Sequence, residues 1–143
     1  MFNAVSAKEY ATVEDIETGE QRSIQTSPLT NYNVTVFDQN LKNNSYVTLI
    51  NTNVLRFGED YDANVTGVVF ELQNKANSYS IRGNTALSQK YFLDETDLGH
   101  RASVGIRKTS GQFQGGIHYN EESDTYDPND LGFLNNNLSL IHI

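Results

Sequence analysis

Between Ser78 and Phe92 the sequence reads SYSIRGNTALSQKYF, and its polar and apolar positions follow a period of two. Tyr79, Ile81, Gly83, Thr85, Leu87 and Tyr91 fall on one face; Ser80, Arg82, Asn84, Ala86, Ser88 and Lys90 fall on the other. Successive side chains of a strand point to opposite sides of a sheet, so the stretch has one apolar and one wet, cationic face. Helical spacing would scatter Ile81, Leu87 and Tyr91 around the cylinder. The run is about fifteen residues long, whereas strands of globular proteins usually have about five or six. A transmembrane barrel strand needs about nine to eleven residues, plus whatever projects beyond the bilayer. A chain with such a strand is all-β.

Composition narrows the classes. At 143 residues the chain is one domain or a piece of one. A hydrophobic fraction of 37% and a net charge of −8 look soluble by average hydropathy. That average misses membrane barrels, whose inward-facing polar residues dilute every second position. No run of about eighteen apolar residues exists, which excludes a membrane-spanning helix. The acidic balance argues against a nucleic-acid partner, which needs a basic stripe. With no cysteine there is neither a disulfide framework nor thiolate chemistry. Met1-Phe2-Asn3-Ala4 opens without a basic segment or an apolar core, so a signal peptide is not expected at this start. The expectation is then either a cytoplasmic protein or one whose true N-terminus is not this one.

Taken in order, Asn3 to Glu14 reads as β, Thr18-Gly19 as a turn and Gln21 to Gln25 as β again. Pro28 cannot donate to a ladder and marks a bend, an end or an edge. Asn31 to Asp38 sets Tyr32, Val34 and Val36 against Asn33 and Thr35, and the Asn-rich Gln39 to Asn44 reads as a loop. Ser45 to Arg56 and Asp62 to Gln73 are long β runs. Both are mixed in polarity, and a bulge near Gly67 would account for a change of phase in the second. After a loop at Asp94 to Leu98, His100 to Thr109 alternates, Ser110-Gly111 signals a tight hairpin, and Gln112 to Asn120 alternates again. Such short connections favour antiparallel pairing. Tyr32, Tyr46, Tyr61, Tyr79, Tyr91, Phe92, Phe113 and Tyr119 cluster at strand ends, where membrane barrels carry aromatic girdles. The alternative is a soluble β-sandwich whose aromatics cap its core.

Little in the chain points to catalysis. Asp127, Asn129 and Gly132 fit positions 1, 3 and 6 of a calcium loop, but Leu131 and Leu138 fail positions 5 and 12, which leaves an acidic turn. His100, His118 and His142 lack zinc spacing, and no nucleophile elbow, phosphate loop or histidine–carboxylate pairing is visible. No metal or cofactor is expected. Asn33-Val34-Thr35 and Asn64-Val65-Thr66 match the glycosylation acceptor pattern by the abundance of Asn and Thr. Arg82, Arg101 and Arg107 carry more weight, because alternation places them, with Asn84 and His118, on one polar face. Their unpaired charges would be costly to bury, so they form an internal ion-pair network or select an anionic or hydroxylated solute.

Several strings carry a family likeness: Ser27-Pro28-Leu29-Thr30-Asn31-Tyr32-Asn33, Asp38 to Ser45, Leu49 to Val54, Tyr61 to Gly67, and Asp124 to Phe133. Over about residues 2 to 137 the chain resembles the barrel region of a Gram-negative outer-membrane family of unassigned function. Members of that family look like long chains in which a family-9-like carbohydrate-binding β-sandwich precedes a large C-terminal barrel. The resemblance implies outer-membrane localisation, lipid as a partner, and glycans as partners only through a domain that this chain lacks. It transfers no catalytic residue. Leu138-Ser139-Leu140-Ile141-His142-Ile143 departs from the family and resembles translated sequencing-adapter read-through. The expectation is thus a partial barrel over 1–137 and a non-native tail over 138–143. It is an antiparallel meander of about six to eight long strands, an arc of a larger transmembrane β-barrel. Arg82, Asn84, Arg101, Arg107 and His118 would face its lumen.

Overall fold

The computed structural model describes residues 1–58 and 60–131. The proposed tail at 138–143, together with Gly132 and Leu138 of the calcium-loop comparison, lies outside them. Nine strands follow one another: β1 Phe2–Ser6, β2 Glu9–Glu14, β3 Gln21–Ser27, β4 Leu29–Leu41, β5 Ser45–Phe57, β6 Asp62–Gln73, β7 Tyr79–Tyr91, β8 Thr96–Lys108 and β9 Gly115–Glu122. A 3-10 turn at Asn129–Leu131 is the one helical element among the described residues. Seven strands form an antiparallel sheet in the order β1-β4-β5-β6-β7-β8-β9, and the hairpin β2-β3 pairs only with itself. From β4 to β9 the sheet is an uninterrupted meander. Among the described residues it is open, with β1 and β9 as its edges.

Pro28 separates β3 from β4, as its missing donor requires. The single run expected over Asn3 to Glu14 is two strands: Ala7 and Lys8 break it, and its halves join different sheets. The Asn-rich loop is shorter than expected. β4 runs on to Leu41, and only Lys42, Asn43 and Asn44 turn, the last two at φ 60° and 56°, a region that Asn tolerates better than most residues. β8 likewise starts at Thr96, inside the expected Asp94 to Leu98 loop. The connection before β9 is longer than the tight hairpin expected at Ser110-Gly111, and Gln112 to Gln114 are not in the strand.

No bulge exists at Gly67. The ladders β5–β6 and β6–β7 run through Ile50↔Gly67 and Gly67↔Ala86 without a shift. The mixed polarity of β5 and β6 has another cause: the two faces of the sheet exchange character along the strands. Consider the end bearing the turns after β4, β6 and β8 as the near end. There, the face of Ile81 carries Val47, Leu49, Val68, Phe70, Leu72, Val104, Ile106 and Ile117, all apolar. The face of Arg82 carries Asp38, Thr48, Glu71, Asn84, Arg107 and His118, nearly all polar. At the far end the assignment inverts. Tyr32, Val34, Val54, Ala63 and Val65 share the face of Arg82, and Asn31, Asn33, Asn51, Asn53, Asn64 and Gln89 share the face of Ile81.

Asparagine on the far-end surface forms a side-chain ladder rather than a scatter of polar groups. Asn3 donates to Asn31 and Asn33, at 2.6 Å each. Asn51 donates to Asn64 at 2.9 Å and to Thr66 at 2.8 Å, and Asn64 donates onward to Gln89 at 2.9 Å. Cross-strand pairs of this kind stabilise a sheet by about 0.2–1 kcal/mol each. The acceptor motifs at Asn33 and Asn64 thus have a structural use, because both side chains are engaged in the ladder. Among the described residues, Val54 and Ala63 are the hydrophobic side chains that are buried. Both lie at the far end, on the face of Arg82.

Candidate functional site: the charged face and the strap across it

All five residues expected on the polar face lie on one face. Register sets Arg82 opposite Gly105, which is opposite His118; Asn84 opposite Ser103; Arg101 opposite Ala86; and Arg107 opposite Ser80. The structure does not join the arginines into a network. Arg101 Nε lies 3.5 Å from Glu122, a half-exposed pair. Arg82 and Arg107 form no ion pair among the described residues, and Glu71, opposite Arg82 on β6, accepts instead from Gln73 at 3.0 Å. Arg82, Arg107 and His118 line an open depression of about 250 Å³ floored by Gly105 and Gly116. The floor depends on those glycines: a Cβ on Gly105 would come within 2.8 Å of His118 Nδ1, and one on Gly116 within 2.7 Å of the Ile106 carbonyl.

Two polar groupings resemble catalytic ones in part. Ser103 Oγ and His118 Nε2 approach to 3.4 Å, but among the described residues no carboxylate orients the ring through Nδ1, which a triad requires. On the opposite face His100 Nε2 lies 3.4 Å from Glu121, whose other oxygen accepts from Tyr119 at 3.0 Å. Pairing of β8 with β9 produces this histidine–carboxylate contact, which the linear sequence did not reveal. Both partners are half exposed and no nucleophile joins them, so the contact is an edge-strand pair. Among the described residues no three His, Asp or Glu side chains converge to hold a metal.

The far end of the charged face is covered by a strap, residues 123–131. Ser123 exchanges hydrogen bonds with His100, its amide donating to the carbonyl at 2.9 Å and its hydroxyl accepting from the amide at 2.9 Å. Thr125 Oγ1 donates to the Leu98 carbonyl at 2.7 Å, and the Asp127 amide donates to Ser88 Oγ at 3.1 Å. Asp127 pairs with Lys90, and Asp130 with Arg56 at 2.7 Å. The Arg56–Asp130 side chains are only 17% and 7% exposed, so this pair is largely withdrawn from water. Arg56 also donates to the Tyr61 carbonyl at 2.6 Å, with its guanidinium 4.5 Å from the Tyr61 ring centroid, and Phe92 packs on that ring at 4.9 Å.

Charges in the strap answer to these contacts. Burial pulls the Asp127 carboxyl upward, but the Lys90 ammonium and the Asn129 amide outweigh it and hold the group below the ordinary carboxylate value. Burial pushes the Tyr126 and Tyr61 phenols up. Sequence reasoning took Asp127-Pro128-Asn129-Asp130 for a solvated acidic turn; its two carboxylates are instead the anchors of the strap. The available signal was charge complementarity with Lys90 and Arg56, far away in the chain. Gly99 was missed as well. It is buried under the strap, and a Cβ there would come within 2.5 Å of the Thr125 carbonyl carbon.

Among the described residues no helix is long and apolar enough to cross a membrane, which says nothing about crossing by strands. Comparison with curated proteins yields no match, and comparison with solved structures yields none. One family model spans nearly the whole chain, residues 1–141, and the chain belongs to that family, DUF5916, a domain of unknown function.

Proposed function

We propose that this chain is a section of the wall of a Gram-negative outer-membrane β-barrel, with the charged near-end face toward a water-filled interior that passes polar solutes. The observation that carries the reading is the uncovered apolar band at the near end. Ile81 is 41% exposed, Ile106 56% and Ile117 83%, on three successive strands. Phe37, Leu49, Leu72 and Val104 extend the exposed band across the sheet. Contiguous apolar surface of this kind marks a contact with lipid or protein. Lengths agree with lipid: the apolar part of β7, Tyr79 to Leu87, has the about nine residues that a tilted barrel strand needs to cross, and the rest of the 13-residue strand projects beyond. Two free edges, β1 and β9, are where further wall strands would join. A soluble sandwich for carbohydrate would need a second sheet over that band; the described residues form one layer and a hairpin. The association with glycan handling, whether by passage or by anchoring, rests on the family resemblance alone.

Thr85 and Asn84 test the reading, because they are neighbours on opposite faces near the middle of β7. Arginine on the lipid face costs about 2–4 kcal/mol at the bilayer midplane and less toward the interface, and Thr85 lies inside the apolar band on the interface side of that midplane, whereas interior substitutions are tolerated. Thr85→Arg should therefore impair assembly more than Asn84→Arg, read as heat-modifiable gel mobility of the full chain reconstituted in lipid. Equal tolerance, or recovery of the wild-type chain as a stable monomer in water without detergent, refutes the reading.

A further inference from the structure

We infer that the depression between Arg82, Arg107 and His118 is a binding site for a small oxyanion-bearing solute, a carboxylate or a phosphate. The inference deepens the reading of the charged face as a solute-passing interior, and it rests on that reading only for its biological role. Three observations meet at one place. Arg82 and Arg107 lack carboxylate partners among the described residues, although the chain carries eight more acidic than basic groups (18 against 10). Arg101, on the same face, is matched to Glu122, so pairing is available on this sheet where nothing else needs the cation. Finally, the two strand glycines beneath the arginines keep the floor open where any side chain would collide.

Guanidinium groups suit carboxylate and phosphate because their parallel N–H donors match two oxygens at once, and such charge-assisted bonds are about twice as strong as neutral ones. His118 adds a ring nitrogen at the same depression. A locally cationic spot on an acidic protein also concentrates anions against the overall field. At about 250 Å³ the open depression has room for a carboxylate or phosphate group, with the rest of the solute outside it.

The test uses the full chain folded in detergent micelles, titrated by calorimetry with inorganic phosphate, with galacturonate and with uncharged galactose. One or both anions should bind, and the tighter of the two identifies the oxyanion. Arg82→Gln and Arg107→Gln should each weaken that binding about tenfold or more, and Arg101→Gln should change it less than about twofold. Heat-modifiable mobility confirms that each variant is folded. No binding of either anion, equal binding of galactose, or an equal loss from Arg101→Gln overturns the assignment. Detergent-phase partitioning of the same samples separates the two ideas. A chain that partitions but binds no anion loses only this site, and a water-soluble chain that binds one loses only the membrane reading.

Discussion

Replacing Gly99 by valine should release the strap and leave the sheet standing. A Cβ at this position meets backbone of Thr125 and Tyr126, and it lies 2.5 Å from the Thr125 carbonyl carbon, where ordinary contact begins near 3.4 Å. The strap must therefore retreat by about 0.9 Å, since strand backbone cannot yield as a flexible side chain would. A retreat of that size stretches the Thr125–Leu98 and Asp127–Ser88 hydrogen bonds, now 2.7 Å and 3.1 Å, to or beyond useful length. Each is worth about 0.5–1.5 kcal/mol net, and loosening the sheltered Arg56–Asp130 pair adds to the loss. Together they give about 2–4 kcal/mol of docking free energy, or roughly 30- to 1,000-fold less protection from hydrogen exchange for the 123–131 amides. Gly58→Ala is the control, because its Cβ would meet only Pro28 at 3.8 Å. Strap protection within threefold of wild type in Gly99→Val would refute the account.

On the opposite face, Gly83→Ala should cost about 1–3 kcal/mol in urea unfolding, because its Cβ would lie 2.6 Å from the Ser103 carbonyl and 2.8 Å from the Phe70 ring. Gly115→Ala, with nothing within 4 Å, should be neutral within about 0.5 kcal/mol, and an equal loss in both would disprove the packing argument. Acid should also loosen the strap: the folded Asp127 carboxyl titrates below its ordinary value of about 3.9, so its contribution is complete above about pH 4 and fades as pH falls through the lower folded value. Exchange protection of the strap, corrected for intrinsic rates, should be level from pH 5 to 8 and fall below about pH 4 in a manner abolished by Asp127→Asn; a loss centred near pH 6 would contradict the assignment.

Strand identity in this chain was legible because its alternation is local. A period of two over Tyr79 to Tyr91 needs only the chemistry of adjacent side chains, and β7 lies where it reads. The shared face of Arg82, Arg101 and Arg107 was legible for the same reason, given antiparallel neighbours. Strand ends were not: Gln39 and Asn40 are poor strand formers that pair with Val47 and Tyr46 because the ladder continues past them. The polarity of β5 and β6 also misled, since a change of phase in one strand looks like a bulge. Only the register of three neighbouring strands shows that Asn33, Asn51 and Asn64 share a surface. The anchors of the strap were least legible. Lys90 and Asp127 are 37 residues apart, and Arg56 and Asp130 are 74 apart, so nothing in either neighbourhood announces the pair.

Inversion of polarity along an unbroken register divides the sheet into two storeys with different demands. A lipid-facing surface cannot include the ladder of Asn31, Asn33, Asn51 and Asn64, because an amide left unpaired in an apolar surround costs about 1–3 kcal/mol and hydrogen bonding along the ladder satisfies each amide only in part. In the proposed barrel, the bilayer then ends near Leu87, where the apolar band gives way to asparagine, and the far end stands in water. Its inner face is there apolar, at Val34, Val54 and Val65, with Val54 and Ala63 buried, and the strap docks on that same face through Arg56 and Lys90. On that proposal, membrane insertion and strap docking are separate properties of one sheet, the first carried by the near end and the second by the far end. Gly99→Val should partition into lipid as wild type does while its strap amides lose protection. A variant that loses both together would show that the storeys are coupled, and that the polarity boundary at Leu87 is not the edge of the bilayer.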